Sequence, residues 1–117
     1  MDINKIKLVM AKICTSIEQS KRLIELGLDV NTADMYNVPY FGNNEYRYCI
    51  SQPMTGPNCS PAWSLTALLE LMPNGFIQKY NDEYSIVLDT LIFGKSSKDS
   101  VDIAFEMVCC LLENKKL

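Results

Sequence analysis

The fold of this chain is decided by the stretch Ser60-Pro61-Ala62-Trp63-Ser64-Leu65-Thr66-Ala67-Leu68-Leu69-Glu70-Leu71-Met72-Pro73. Ser60 can cap the first free backbone N–H groups of a helix, and Pro61 suits the first helical position because its missing donor costs nothing there. Four apolar residues then recur at helical spacing: Leu65, Leu68, Leu69 and Met72. Pro73 stops the helix. The stretch therefore predicts one packed helix that carries the only tryptophan, and it indicates no chemistry.

Two further helices are predicted towards the ends of the chain. Thr15 and Glu18 have the spacing of a capping box, and the helix that they open should end at Gly27, which suits a left-handed C-terminal cap. The last helix should run from about Asp99 to Asn114, where the amphipathic pattern is the cleanest in the chain. Its apolar stripe consists of Val101, Ala104, Phe105, Val108, Leu111 and Leu112. Residues 3–13 fit either a helix or a strand, and we favour a helix.

The segment after the first helix has the alternation of a β-hairpin with a longer loop at Gly42-Asn43-Asn44. Its alternating residues are Tyr36, Val38 and Tyr40 in one strand and Tyr46, Tyr48 and Ile50 in the other. A register that pairs Tyr40 with Tyr46 would place all six side chains on one face. The same register pairs Val38 with Tyr48. Residues 51–61 carry three prolines and a glycine and are typical of an irregular connection.

A second hairpin follows the tryptophan helix, with strands at 76–80 and 84–93 around Asn81-Asp82-Glu83. Residues 86–93 are apolar enough to form a central strand. The order helix, hairpin, helix, hairpin, helix predicts an α+β fold with two layers. In it, an antiparallel sheet from two hairpins carries about three helices. The 117 residues should form a single globular domain over 1–117, which can bury a core without staples.

Charge and hydropathy exclude several classes of protein. The net charge is −3 and the basic residues form no extended patch, so we expect no nucleic-acid binding. No apolar run approaches the roughly 18 residues that cross a bilayer, so we expect no membrane insertion. The N-terminal residues lack the apolar segment and cleavage site of a signal peptide. These features together predict a cytoplasmic protein.

The cysteines indicate thiols rather than a disulfide framework. There are five, an odd number in a chain without an export signal: Cys14, Cys49, Cys59, Cys109 and Cys110. This pattern favours free thiols that pack as small hydrophobic residues in a reducing compartment. No Cys-x-x-Cys pair and no histidine occurs, so we expect no zinc or other metal.

The sequence shows no catalytic constellation. Phe93-Gly94-Lys95-Ser96 is similar to the end of a phosphate-binding loop, but that loop needs a glycine five positions before Gly94, where Asp89 stands. A turn is the better interpretation. Without histidine, the commonest general base for nucleophilic catalysis is also absent. We therefore expect neither enzymatic activity nor a cofactor.

Three blocks of the sequence carry a family resemblance. They are Ile17-Glu18-Gln19-Ser20-Lys21-Arg22-Leu23-Ile24-Glu25-Leu26-Gly27 with Thr32-Ala33-Asp34-Met35, then Pro61-Ala62-Trp63-Ser64-Leu65 through Leu69-Glu70-Leu71-Met72-Pro73, and Ala104-Phe105-Glu106-Met107-Val108-Cys109 with Leu111-Leu112-Glu113-Asn114. They resemble a family of small uncharacterised proteins encoded in gut Bacteroidetes genomes and their phage-like mobile elements. The resemblance implies a cytoplasmic accessory protein of phage or element origin, and it brings no catalytic residue.

The tyrosine-rich face of the first hairpin is the best candidate for a binding surface, because tyrosine and tryptophan are enriched at interfaces. The candidate residues are Tyr36, Tyr40, Tyr46, Tyr48 and Trp63. The alternative is that the tyrosines cover the helices and that Trp63 lies in the core, with its indole N–H on a loop carbonyl of the proline-rich connection. Asp34 should cap a turn by bonding its own backbone.

Three hypotheses for function remain open from the sequence. The leading one is a small interaction protein that acts by binding another protein. The second is a small-molecule binding domain with its ligand between the sheet and the Trp63 helix. The third is self-association through an exposed sheet edge or the last helix, and the sequence does not predict the oligomeric state.

Overall fold

The computed structural model describes residues 12–40, 43–53, 56, 59–88, 91–92 and 95–115. Within these residues the elements are α1 (Ile17–Glu25), β1 (Met35–Tyr40), β2 (Asn43–Ile50), β3 (Ser60–Ala62), α2 (Leu65–Leu71), β4 (Gly75–Tyr80), β5 (Glu83–Leu88), β6 (Leu91–Ile92) and α3 (Ser100–Glu113). A 3₁₀ turn over Val30–Thr32 links α1 to β1. The predicted α+β class is confirmed. The helix favoured over residues 3–13 lies outside the described residues except for Lys12 and Ile13, which are not helical.

The described strands form two antiparallel sheets, with the orders β2-β1-β3 and β4-β5-β6. Each predicted hairpin is therefore the larger part of its own sheet, and the two hairpins do not share one. A short third strand completes each sheet, because the chain folds back after the hairpin and pairs again. These third strands come from segments for which the sequence predicted a helix start and the end of one long strand.

The first helix begins one residue later than predicted. Ser16 is its N-terminal cap and forms a capping box with Gln19, whereas the prediction used Thr15 and Glu18. The hydroxyl of Thr15 bonds other groups instead: it accepts a hydrogen bond from the backbone N–H of Trp63 at 3.0 Å and bonds the Ser20 hydroxyl at 2.8 Å. The predicted end at Gly27 is confirmed: this glycine has φ of +100°, in the left-handed region that its missing Cβ permits.

The tryptophan segment is not one helix. Ser60–Ala62 is extended and pairs with β1, so that α2 begins only at Leu65. The N-terminal cap is Ser64, whose hydroxyl oxygen accepts the backbone N–H of Ala67 at 3.2 Å. Asp34 bonds both the backbone N–H and the hydroxyl of Ser64. The predicted structural role of Asp34 is therefore correct in kind, but its partner is a distant serine and not its own backbone.

The register of the first hairpin is confirmed in part. Val38 pairs with Tyr48 as predicted, but Tyr40 pairs with Asn43 and not with Tyr46. The register shifts between Pro39 and Tyr40. A proline cannot donate a hydrogen bond to the sheet, and prolines inside strands are accordingly found at irregular positions of this kind.

The second hairpin has a shorter turn than predicted. Asn81 and Asp82 are its two turn residues, and both have positive φ, the pattern of a type I′ turn. The predicted third turn residue, Glu83, already belongs to β5 and pairs with Tyr80. The long central strand predicted over residues 86–93 is wrong, since β5 ends at Leu88 and β6 returns antiparallel to it.

The main hydrophobic core joins the three helices to the inner face of β5. Thirteen buried residues form it: Leu23, Leu28, Trp63, Ala67, Leu68, Ile86, Val101, Ile103, Ala104, Met107, Val108, Cys109 and Leu111. Seven of them come from α3, whose predicted bounds agree closely with the structure. The predicted apolar stripe is confirmed in part: four of its six residues are buried, Phe105 and Leu112 are partly buried, and the buried residues Ile103, Met107 and Cys109 were not predicted as part of it. This helix is thus the element against which the others pack.

The cysteine prediction is wrong for two of the five residues. Cys14 and Cys49 form a disulfide, with their Cα atoms 6.5 Å apart. Thirty-four residues separate them in the chain, and the strand pairing of β1 with β2 brings Cys49 back to the segment before α1. Sequence spacing does not reveal such a contact. Cys59, Cys109 and Cys110 are free, as predicted.

We predict that Ser64→Ala lowers the free energy of unfolding by about 1–2 kcal/mol, because it removes the cap of α2 and leaves Asp34 without that hydroxyl. Ser60→Ala, at the cap position that the sequence suggested, should cost less than about 0.5 kcal/mol. Urea unfolding followed by circular dichroism measures both values. An equal or larger loss for Ser60→Ala would contradict the observed start of α2.

Candidate functional site

Trp63 lies in the core and not on a surface. Its side chain is 0% exposed, and its indole N–H donates to the hydroxyl of Thr32 at 3.0 Å. The expected partner, a carbonyl of the proline-rich connection, is therefore not the one used. Trp63 is in consequence unable to touch a partner unless the core opens, which agrees with the packing interpretation of this residue.

The structure describes only part of the predicted tyrosine face. Tyr36 is half-buried. The side chains of Tyr40, Tyr46 and Tyr48 lie outside the part of the chain that the structure describes. The binding role of these four tyrosines accordingly stays a prediction.

Two aromatic side chains of β4 are exposed on the outer face of the second sheet. Phe76 is 56% exposed and Tyr80 is 77% exposed. They lie on the same face because they are four residues apart in a strand, with Gln78 between them. We call Phe76, Gln78 and Tyr80 the aromatic face. The sequence predicts this segment as a strand of the second hairpin and does not predict a site on it.

An apolar groove opens beside the aromatic face, between the end of α2 and the start of β4. Its volume is about 280 Å³. Phe76 forms its rim, and Leu69, Met72, Pro73, Ile77 and Leu88 contribute to its walls. Gly75 permits the close contact of β4 with β5 here, since a Cβ on this residue would lie 2.4 Å from the carbonyl oxygen of Val87.

A second, polar groove of about 540 Å³ lies along the first half of α3. Lys12 and Gln19 both donate to Oδ1 of Asp102, at 2.7 and 2.8 Å. On the other side, Lys95 Nζ lies 3.5 Å from Glu106. These charges neutralise one another in pairs, and the pairs connect segments of the fold. The groove is therefore explained by packing.

The described part of the Gly-Lys-Ser motif, Lys95 and Ser96, shows no phosphate cradle. Asp99 Oδ1 accepts the backbone N–H groups of Val101 and Asp102, which are the donors that an anion would need at the start of α3. The Ser96 hydroxyl donates to Glu83 at 3.3 Å. Phe93 and Gly94 of the motif lie outside the described residues, so the turn interpretation stays a prediction.

Burial raises the pKa of the Cys109 thiol from 9.0 to about 11, and the negative charge of Glu106 adds to the increase. A thiol with so high a pKa is a poor nucleophile at neutral pH. Among the described residues, no group of three or more cysteine and carboxylate side chains could hold a metal ion. None of the described helices is long and apolar enough to span a bilayer.

Comparison with protein-family models, with curated proteins and with solved structures gave no match. The site must therefore be judged on its own geometry. Of the features described, the aromatic face and the apolar groove are the two for which internal packing provides no explanation.

We predict that Cys109 reacts with iodoacetamide at pH 8 at least tenfold more slowly than its neighbour Cys110, because only about one thiol in a thousand is ionised at a pKa of about 11. Peptide mass spectrometry of the native protein at timed intervals measures both rates. Equal rates would show that the Cys109 thiol is neither buried nor perturbed.

The same pKa affects stability. The folded protein holds the Cys109 proton more tightly than the unfolded chain does, so the native state binds more protons between pH 9 and 11. This residue should therefore lower the free energy of unfolding as the pH rises through that window. Cys109→Ala should flatten this part of the stability profile.

Proposed function

We propose that this protein is a small accessory protein that acts by binding another protein through the aromatic face and the adjoining apolar groove. The observation that carries the proposal is the exposure of Phe76 and Tyr80 on one face of one strand. Large aromatic side chains are enriched at the centres of interfaces, where they bury much area at a low cost in conformational entropy.

The position of β4 supports this proposal. Among the described strands it lies at the edge of its sheet, and its pairing with β5 runs without a bulge from Gly75 to Tyr80. A regular edge presents a row of backbone N–H and C=O groups to an incoming extended segment. We infer that the partner adds such a segment along β4 and places an apolar side chain in the groove beside Phe76.

The free energy of binding must come from the two aromatic rings, the edge of β4 and the apolar groove together. Phenylalanine and tyrosine each bury about 150–250 Å². With 56% and 77% still exposed, roughly 270 Å² remains to be covered, which is worth roughly 7 kcal/mol gross. Association costs about 4–15 kcal/mol. The two rings therefore suffice as anchors but not as a whole interface, and the strand edge and the groove must contribute.

A small-molecule ligand is the second candidate function. The apolar groove lies at the end of the helix that follows Trp63, between that helix and a sheet, where the sequence suggested a ligand. Its volume of about 280 Å³ is below the range of about 300–1,000 Å³ that is usual for ligand pockets. A single side chain of a protein partner fits this size better.

Three expectations from the sequence stay proposals: a non-enzymatic role, an origin in a phage-like element and a cytoplasmic location. The last conflicts with an irreversible Cys14–Cys49 disulfide, because disulfides in the cytoplasm are usually transient or redox-sensing. A cytoplasmic location therefore implies that this bond is reversible.

The test is capture of partners from the native host by the tagged protein, followed by affinity measurement with the purified partner. We predict that Phe76→Ser with Tyr80→Ser weakens binding at least about thirtyfold, the effect of losing one interface anchor of about 2 kcal/mol. Val30→Ser is the matched control, since Val30 is an exposed apolar residue outside the aromatic face and the groove. It should bind normally.

Unchanged affinity of the folded Phe76→Ser, Tyr80→Ser protein would overturn the assignment to β4. Loss of binding by Tyr46→Ser with Tyr48→Ser alone would assign the site to the first hairpin instead. Light scattering separates self-association from binding to another protein: a dimer that the β4 variant dissolves would identify a second copy of the chain as the partner.

A further inference from the structure

The Cys14–Cys49 disulfide connects two parts of the protein that differ in how firmly they are held. Cys14 lies in residues 12–16, which we call the strap. The strap is bonded to two helices and to the segment before the third: Lys12 reaches Asp102 of α3, Ser16 caps α1, and Thr15 is bonded to Trp63, which precedes α2. It is thus fixed to the helical core.

The hairpin of β1 and β2 lies beside the main core. Val38 and Asn37 of β1 are buried, but none of the described side chains of residues 35–39, 49 and 50 belongs to the main hydrophobic core. β1 is paired to β3 through three residues, Met35, Tyr36 and Asn37. Asn37 also donates to the carbonyl oxygen of Thr15 at 3.3 Å. β2 is paired to β1, and its disulfide to the strap is a covalent tie to the core.

We propose that the Cys14–Cys49 disulfide is a redox-controlled lock, which fixes the β1–β2 hairpin to the strap and releases it on reduction while the helical core stays folded. Release is local because the bond lies outside the main core, whose buried residues come from the helices, the segments beside them and β5. Regions with few buried apolar contacts open at lower free energy than the core does.

The position of the two sulfurs sets the course of the reaction. Cys14 is 4% exposed, whereas Cys49 is partly exposed. The thiolate of a small-molecule thiol therefore attacks Sγ of Cys49. The protein S–S bond breaks, and its electron pair leaves on Sγ of Cys14, which takes up a proton. A second thiol resolves the mixed disulfide on Cys49 and forms the disulfide of the reagent, so that two electrons and two protons enter the protein.

Thiol counting is the first part of the test. The protein purified without reductant and denatured should show three thiols that react with a maleimide, and five after treatment with dithiothreitol. Five thiols before the treatment would overturn the proposal.

Hydrogen exchange is the second part. Reduction should accelerate exchange of the β2 amides, Asn43–Ile50, by about tenfold or more, while β5 and α3 stay within about twofold. The fluorescence of buried Trp63 should not shift, since the core remains closed. Equal acceleration of exchange in all segments would show that the disulfide stabilises the whole fold. No acceleration would show that it does not stabilise the hairpin. Either result overturns the proposal.

Two variants make the test specific. Cys49→Ser should exchange like the reduced protein under both conditions, because it cannot form the bond. Cys59→Ser is the matched control: Cys59 is a partly exposed free thiol, and its loss should leave the response to dithiothreitol intact. A response that disappears in Cys59→Ser and persists in Cys49→Ser would overturn the proposal by placing the reactive pair elsewhere.

Discussion

The buried hydrogen bonds of Thr15 are the interaction on which the rest of the structure depends. Its backbone N–H donates to the carbonyl of Trp63 at 3.0 Å, and its hydroxyl accepts the Trp63 backbone N–H at the same distance. The hydroxyl also bonds Ser20 of α1 at 2.8 Å, and the Thr15 carbonyl accepts from Asn37 of β1. One residue thus satisfies polar groups of three separate elements. Burying any of these polar groups without a hydrogen-bond partner would cost free energy, so these contacts favour one relative placement of the bonded segments.

This constraint explains the division of the molecule into two parts. The strap fixes Trp63 directly before α2, and Trp63 then fills the core that α3 closes. Because Trp63 is held there with extended backbone on its N-terminal side, Ser60–Ala62 is available to pair with β1. The first sheet is attached through β3, through the hydrogen bond from Asn37 to Thr15 and through the disulfide, while the second sheet contributes Ile86 to the main core.

Elements with strong local signals were predicted well. The bounds of α3 follow from its apolar stripe, and Gly27 ends α1 because few other residues adopt its backbone conformation. Competing local signals gave the errors. Thr15 and Ser16 can both cap, as can Ser60 and Ser64, and tertiary contacts make the choice: Thr15 is bonded to Trp63 and does not cap, whereas Ser64 caps α2 and is also bonded to Asp34. The aromatic face follows an alternation that is present in the sequence, yet its exposure depends on what the sheet packs against.

The sequence by itself determined the α+β class, the number of described helices and the two hairpins, since periodicity and turn residues act over a few neighbouring positions. The pairing of Cys14 with Cys49, the assignment of the hairpins to two sheets and the groove beside Phe76 were visible only in the tertiary structure. Each of these depends on residues that are far apart in the chain and come together only when the core has formed. Local sequence patterns do not show which residues, far apart in the chain, come into contact in the folded protein.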